Sequence, residues 1–170
     1  MSESSHHIRV ANLTDAKAVS ELLGASYTAL LSAFYEENLL TQILPLITKA
    51  NPLLLDSGTF YVAQIGRGKI VGCGGWSRKR PGAGALHSRE GNIRHFATHP
   101  DWLRKGIGRD ILLRCFEDVK GTEIKAMNCY SALGAETFYG AFGFSIVSQV
   151  DVPLTGQLAF PAFLMRNELT

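Results

Sequence analysis

Two periods of apolar and polar residues run through this chain of 170 residues, and each switch between them marks a change of element. Residues 7–10 read as a short strand. Thr14-Asp15 then offers an N-cap to a helix carrying Ala18, Val19, Leu22, Leu23 and Ala25 to about Leu31. Helical spacing resumes over 34–50 in Leu39, Leu40, Ile43 and Leu46, but Pro45 interrupts it, and Pro52 with Asp56-Ser57-Gly58 marks a loop. The β-rich runs 59–64 and 69–77 flank Gly66-Arg67-Gly68, the spacing of a hairpin with a short glycine loop. Gly72, Gly74 and Gly75 weaken the second run; they leave room either for something to approach its backbone or for a bulge or tight helix packing.

Residues 81–88 form a Gly/Ala-rich loop in this reading, and 92–98 a strand stopped by Pro100. The strongest helical signal spans 104–120, where Ile107, Ile111, Cys115 and Val119 repeat every four residues and Leu112 and Phe116 widen the stripe. Gly121 ends it. A strand at 124–130, a short helix at 135–142 ended by Gly143, and strands at 144–150 and 157–166 joined through Pro153 and Gly156 complete the chain. The order is mixed α/β around one curved sheet.

Composition narrows the class. With 46% hydrophobic and 19% charged residues the chain is globular, and its length suits one domain, expected at 7–170 after a disordered 1–6. A net charge of +2 argues against an extended nucleic-acid footprint, whereas local clusters at Arg78-Lys79-Arg80 and at Arg104-Lys105 with Arg109 suit a small anionic ligand. Cys73, Cys115 and Cys129 are odd in number, far apart and set among apolar residues, so a reducing cytoplasm is expected rather than a disulfide framework. Neither a secretory signal nor a bilayer-length apolar run is present, and no membrane partner is expected.

The informative step is a strand followed by His99-Pro100-Asp101-Trp102-Leu103 and then Arg104-Lys105-Gly106-Ile107-Gly108, leading into the long helix. A helix start leaves about four N–H groups unpaired and carries about half a positive charge, so it can hold a phosphate or pyrophosphate. A tight strand-to-helix turn with solvated basic residues is the plain alternative. A dinucleotide fingerprint would need a third glycine near 111, where Ile stands, and a nucleotide P-loop would need Gly-Lys-Ser/Thr, which is absent.

Residues 103–108 resemble the central motif of the GNAT superfamily of acyl-CoA-dependent N-acyltransferases, Gln/Arg-x-x-Gly-x-Gly/Ala between a strand and a long helix. The family's Ala-x-x-Phe-Tyr-x-x-x-Gly-Phe helix is matched by Ala135, Phe138, Tyr139, Gly143 and Phe144 at the same spacing. Gly72-Cys73-Gly74-Gly75-Trp76 looks like a variant of the preceding strand, and the resemblance covers about residues 59–144. One departure is Leu103, where the family has Gln or Arg. The resemblance implies an α+β fold with a single, mostly antiparallel curved sheet flanked by helices, and acetyl-CoA as co-substrate. Amides of Leu103, Arg104, Lys105, Gly106, Ile107, Gly108 and Arg109 would hold the CoA pyrophosphate. Phe96, Ala97 and Thr98 would line the pantetheine arm like an added strand, with Asn128 and Phe138 beside it, plain strand-end hydrogen bonding being the alternative for Asn128.

The implied activity is acetyl transfer to a primary amine of a small molecule or protein, by direct attack in a ternary complex; a non-catalytic acyl-CoA-binding module is the alternative. Tyr139 is then the general acid or partner of the CoA sulfur, since a phenol of pKa about 10 matches a thiolate, although a core aromatic beside Phe138 and Phe142 is the alternative. No carboxylate lies within 92–98, so Glu90 or a water chain would take the amine proton; His95 is a titratable alternative, with a structural histidine the favoured reading of it. Simple alternation puts Asn92, Arg94, Phe96 and Thr98 on one face and Ile93, His95 and Ala97 on the other. In the family the face of 92 and 94 looks toward the acceptor, making Asn92, with Glu90 and Tyr139 a catalytic candidate, and Arg94 candidate substrate or water contacts together with Tyr27, Tyr35 and Trp76; a surface or salt-bridged Arg94 is the equal alternative. His95 and His99 lack the geometry and further ligands of a zinc site, and no metal is expected. A homodimer through the C-terminal strands is a further implication of the resemblance.

Overall fold

Alternation of side chains on β2 (Phe60–Ile65) sorts the molecule into layers, and the computed structural model, which describes residues 5–79 and 89–170, shows them directly. Tyr61 and Ala63 face one core; Phe60 and Val62 face the other. On the first side lies α4 (Ile107–Val119), whose stripe of Ile107, Ile111, Leu112, Cys115 and Val119 is wholly buried. On the second lies α1 (Ala16–Leu31), which buries Val19, Leu22 and Leu23 with Leu54 and Leu55 of α3 (Pro52–Leu55). A third cluster joins the end of α1 and α2 (Glu37–Ile47) through Leu31, Tyr35, Leu40 and Ile43.

Among the described residues seven strands make one sheet in the order β1-β2-β3-β4-β5-β7-β6. Besides β2 these are β1 (His7–Val10), β3 (Lys69–Ser77), β4 (Glu90–Thr98), β5 (Ala126–Ala132), β6 (Ser145–Thr155) and β7 (Leu158–Glu168); β4 with β5 is the parallel pair. The short α5 (Glu136–Gly140) links β5 to β6. The room left by Gly72, Gly74 and Gly75 is taken by the protein itself. A Cβ on Gly72 would stand 2.3 Å from Ile107 of α4, one on Gly74 would stand 2.5 Å from the Phe96 ring, and one on Gly75 would meet the Thr59 carbonyl.

Several local expectations are corrected. The side-chain cap is made by Asn12 on a 3₁₀ turn at Leu13–Asp15, and Asp15 takes the N-cap position of α1 but makes no side-chain cap bond there, accepting instead from Arg9 at 2.8 and 2.7 Å. That pairing holds the Asp15 carboxyl below the usual carboxylate range. Pro45 lies within α2, and α3 occupies part of the expected loop. Pro153 is not part of the β6–β7 connection: it pairs with Ala159 inside β6, an edge strand where a missing N–H is tolerated, and the turn lies at Gly156-Gln157 between Thr155 and Leu158. The expected loop at 81–88, with Arg80 of the basic cluster, lies outside the described residues, as do residues 1–4. His6, within the segment expected to fray, places Nε2 2.6 Å from Asp110 Oδ2. Among the described residues no helix is long and apolar enough to cross a membrane.

Candidate functional site

The site arises where two strands part. β4 and β5 pair only at Glu90↔Ala126, Gly91↔Met127 and Asn92↔Asn128. β5 continues beside β7 as far as Ala132↔Ala162. β4 continues beside β3 but spends an extra residue: Arg94 faces Gly75, whereas Ala97 faces Cys73. His95 sits in this bulge with φ 51, a left-handed conformation uncommon for a non-glycine residue, and its carbonyl accepts from Cys73 Sγ at 3.2 Å. Between the diverging strands opens a cavity of about 580 Å³.

The bulge overturns the simple alternation expected for β4. Arg94, opposite Gly75, and Ala97, opposite Cys73, face the α1 side, where Ala97 joins that core. Phe96 and Thr98 face the α4 side, Phe96 packing in the larger core and Thr98 pairing with Gly72. Asn92 and Arg94 therefore do not share a face with Phe96 and Thr98. One extra residue carries the strand from one layer to the other across the cavity mouth.

At one end the cavity reaches the start of α4. Arg104 (φ 60) and Gly106 (φ 78) are both left-handed, so the chain coils before the helix begins at Ile107, three residues later than expected. The first main-chain bond of the helix is Asp110 N–H to Gly106 O at 3.0 Å. The N–H groups of Ile107, Gly108 and Arg109 precede that bond and point out of the helix start, the geometry of an anion cradle. Leu103, Arg104, Gly106, Ile107, Gly108 and Arg109 all line the cavity. Lys105 does not; its ammonium lies 5.9 Å from the Trp102 ring centroid.

Deeper in, Tyr139 of α5 is only 7% exposed, with its ring edge-to-face against Phe96, Phe138 and Phe144. Burial, and then the neighbouring Cys129 and Tyr27, push its hydroxyl well above the usual phenol range. The expected match to a thiolate at pKa about 10 is thus shifted: the hydroxyl stays protonated and acts first as a hydrogen-bond donor. Tyr27 donates to Phe96 O at 3.4 Å. Burial lowers the His95 pKa to about 4, aided by the Arg94 charge, which leaves a neutral imidazole in the lining.

Of the residues singled out from the sequence, Tyr27, Arg94, Phe96, Ala97, Thr98, Phe138 and Tyr139 come together around the cavity with the α4 turn. Others stand outside its lining. Glu90 is bound to Arg166 Nη1 at 2.6 Å and to Asn128 Nδ2 at 3.0 Å, so it and Asn128 form a polar lock across β4, β5 and β7. Asn92 donates to the carbonyls of Ser77 and Arg78. Trp76 is a core residue whose indole N–H donates to Asp118 at 2.9 Å. Tyr35 straps the helices to the sheet, donating to Pro161 O at 2.5 Å and accepting from Leu133 N–H at 2.8 Å. Ser26, overlooked in the sequence, is fully buried in α1 and lines the cavity. Its signal was a polar residue continuing the buried Leu22 and Leu23 stripe.

The family model for the acetyltransferase (GNAT) domain matches residues 56–146, and the chain belongs to that family. No curated relative matches it. Among solved structures it is similar to a PaiA N-acetyltransferase from Thermoplasma acidophilum in complex with coenzyme A, at 16% identity over 96% of this chain and 99% of that one, TM-score 0.72. A GCN5-related N-acetyltransferase from Rhodopseudomonas palustris gives 18% identity over 99% of both chains, TM-score 0.73. A GNAT-family acetyltransferase from Staphylococcus aureus gives 17% over 98% and 100%, TM-score 0.68. The mixed α/β architecture, a mostly antiparallel sheet flanked by helices, is that of these proteins.

Proposed function

We propose that residues 7–170 form an N-acetyltransferase domain that moves an acetyl group from acetyl-CoA to a primary amine by direct attack in a ternary complex. The observation that carries this reading is the cavity between the parted strands, whose lining includes both the coiled start of α4 and Tyr139. The amides of Ile107, Gly108 and Arg109, with the side chains of Arg104 and Arg109, bind the pyrophosphate. This needs nothing from the side chain at Leu103, because main-chain donors tolerate substitution. The unpaired β4 edge at Phe96, Ala97 and Thr98 runs beside the pantetheine arm, and Phe138 packs against it.

In the transfer, the amine nitrogen bonds to the acetyl carbon, the carbon–sulfur bond breaks, and the Tyr139 O–H stabilises and then protonates the departing thiolate. No Asp or Glu lines the cavity among the described residues, so a carboxylate base is replaced by direct entry of the neutral amine, its proton passing to solvent. Glu90 is engaged by Arg166 and Asn128, which argues against its use as the base. The same lack of a carboxylate favours, as a second reading, an acyl-CoA-binding module without turnover. The buried, unpaired thiols Cys73, Cys115 and Cys129 support action in the cytoplasm.

Thermal unfolding with acetyl-CoA, NADH and ATP tests the donor site: acetyl-CoA alone raises Tm, and equal shifts with all three, or none, would count against it. Release of CoA thiol on adding an amine then separates the enzyme from the binding module.

A further inference from the structure

Two polar atoms on the α1 side of the cavity have no hydrogen-bond partner among the described residues. Arg94 donates from Nη1 to Ser77 Oγ at 3.0 Å and to Lys79 O at 3.4 Å, but its Nε is buried and unbonded. Ser26 Oγ, on a residue with no exposed surface, is also unbonded. Both residues line the cavity. Such orphaned atoms are rare in folded proteins and costly, most of all beside a guanidinium whose charge no described carboxylate neutralises. Burial accordingly lowers the Arg94 pKa. Apart from Tyr27, whose hydroxyl is bonded to Phe96 O, the lining contributed by α1, by the turn after it and by β6 and β7 includes the apolar Leu30, Phe34, Val152, Leu154 and Phe160.

Building on the acetyl-CoA-dependent reading of the site, we infer that the acceptor is a small amino acid with an apolar side chain, its carboxylate held by Arg94 and Ser26. A carboxylate is what the free edge of a guanidinium and a hydroxyl lining the same cavity accommodate, since both donate and the charges cancel. The donor's pyrophosphate does not serve instead: its cradle is at the start of α4, whereas Arg94 faces the α1 side of the sheet and Ser26 belongs to α1. Polyamines and lysine-rich peptides are disfavoured, because the described lining holds a cation and no acid to receive a second ammonium. In the reaction the α-amine nitrogen bonds to the acetyl carbon as the carbon–sulfur bond breaks. One amine proton leaves to solvent, the Tyr139 proton goes to sulfur and is regained from water, and the products are the N-acetyl amino acid and free CoA thiol.

The test compares L-phenylalanine with phenethylamine, which has the same ring without the carboxylate, and with spermidine. Initial rates of CoA thiol release are read for the unmodified protein, Arg94→Met and Ser26→Ala. For the unmodified protein kcat/KM is about 10- to 100-fold higher with phenylalanine than with phenethylamine, as charge-assisted hydrogen bonds provide. Arg94→Met abolishes this preference, chiefly through KM for phenylalanine, and Ser26→Ala narrows it. Calorimetry with N-acetyl-L-phenylalanine reads the same subsite without turnover, with binding lost in Arg94→Met. A preference for phenethylamine or spermidine, or an Arg94→Met loss equal for both monoamines, overturns the inference while leaving the acetyltransferase reading intact. Product binding that depends on Arg94 without any thiol release would do the reverse.

Discussion

Asn92 lies opposite Asn128 at the last rung of the parallel ladder, and the cavity opens where that ladder stops. Both side chains are turned to structural bonds at this point. Asn128 joins Glu90 and Arg166, and Asn92 holds the carbonyls of Ser77 and Arg78. The parted strands are thus anchored immediately beneath the site, so the split can be rigid without side-chain contact across the gap.

Tyr139 is the first residue to alter. Tyr139→Phe keeps the ring packed against Phe96, Phe138 and Phe144 while removing the hydroxyl. The expected loss is about 100-fold in kcat, the usual scale for a positioned acid, with acetyl-CoA affinity within about 2-fold. Steady-state rates with calorimetric affinities check this; unchanged turnover would make the tyrosine a packing residue.

Gly106→Ala tests the coiled start of α4. No atom stands within 4 Å of the new methyl, so the penalty is the left-handed φ of 78 rather than a clash. That strain is worth about 1–2 kcal/mol. It should lower Tm by several degrees and weaken acetyl-CoA binding at least about 10-fold, because the cradle amides must shift; intact affinity would place the phosphates elsewhere.

His95 makes stability depend on pH. Its folded pKa of about 4 lies below the unfolded value of about 6.5, so the unfolded chain takes up the proton first. Its contribution is complete above about pH 6.5 and is lost as pH falls toward 4, up to about 3 kcal/mol. Urea unfolding between pH 4 and 7 should show that slope for the unmodified protein and a flatter one for His95→Gln.

Asp118 receives both Tyr61 OH, at 2.5 Å, and Trp76 Nε1, at 2.9 Å. Asp118→Ala strands two buried donors and should cost about 2–4 kcal/mol in urea unfolding. Trp76→Phe, which spares the cavity lining, should leave the acceptor KM unchanged; a large rise would return Trp76 to the substrate.

The fold was legible where periodicity was strong. β3 is found at 69–77 as expected, and the stripe Ile107, Ile111, Cys115 and Val119 is the buried face of α4. The family motifs likewise pointed to the α4 turn and Tyr139, which the structure joins through one cavity. The bulge at His95 was hidden, since neither glycine nor proline announces it and its φ is imposed by pairing with β3. Glu90 looked available because its partner Arg166 is 76 residues away on β7, a distance that local pattern does not span. Ser26 escaped for a related reason: the helical stripe marks it as buried, but only the folded structure shows its hydroxyl without a partner in the lining of the cavity that Arg94 also lines.

The most direct measurement of the central claim follows acetyl-CoA carrying an isotopically labelled acetyl group, incubated with the protein and a panel of primary amines and read by mass spectrometry. The account predicts label on the amine nitrogen of at least one acceptor, matched one to one by free CoA thiol and sharply reduced in Tyr139→Phe. Acetyl-CoA that binds saturably yet remains intact with every amine would contradict it and leave a binding module in its place.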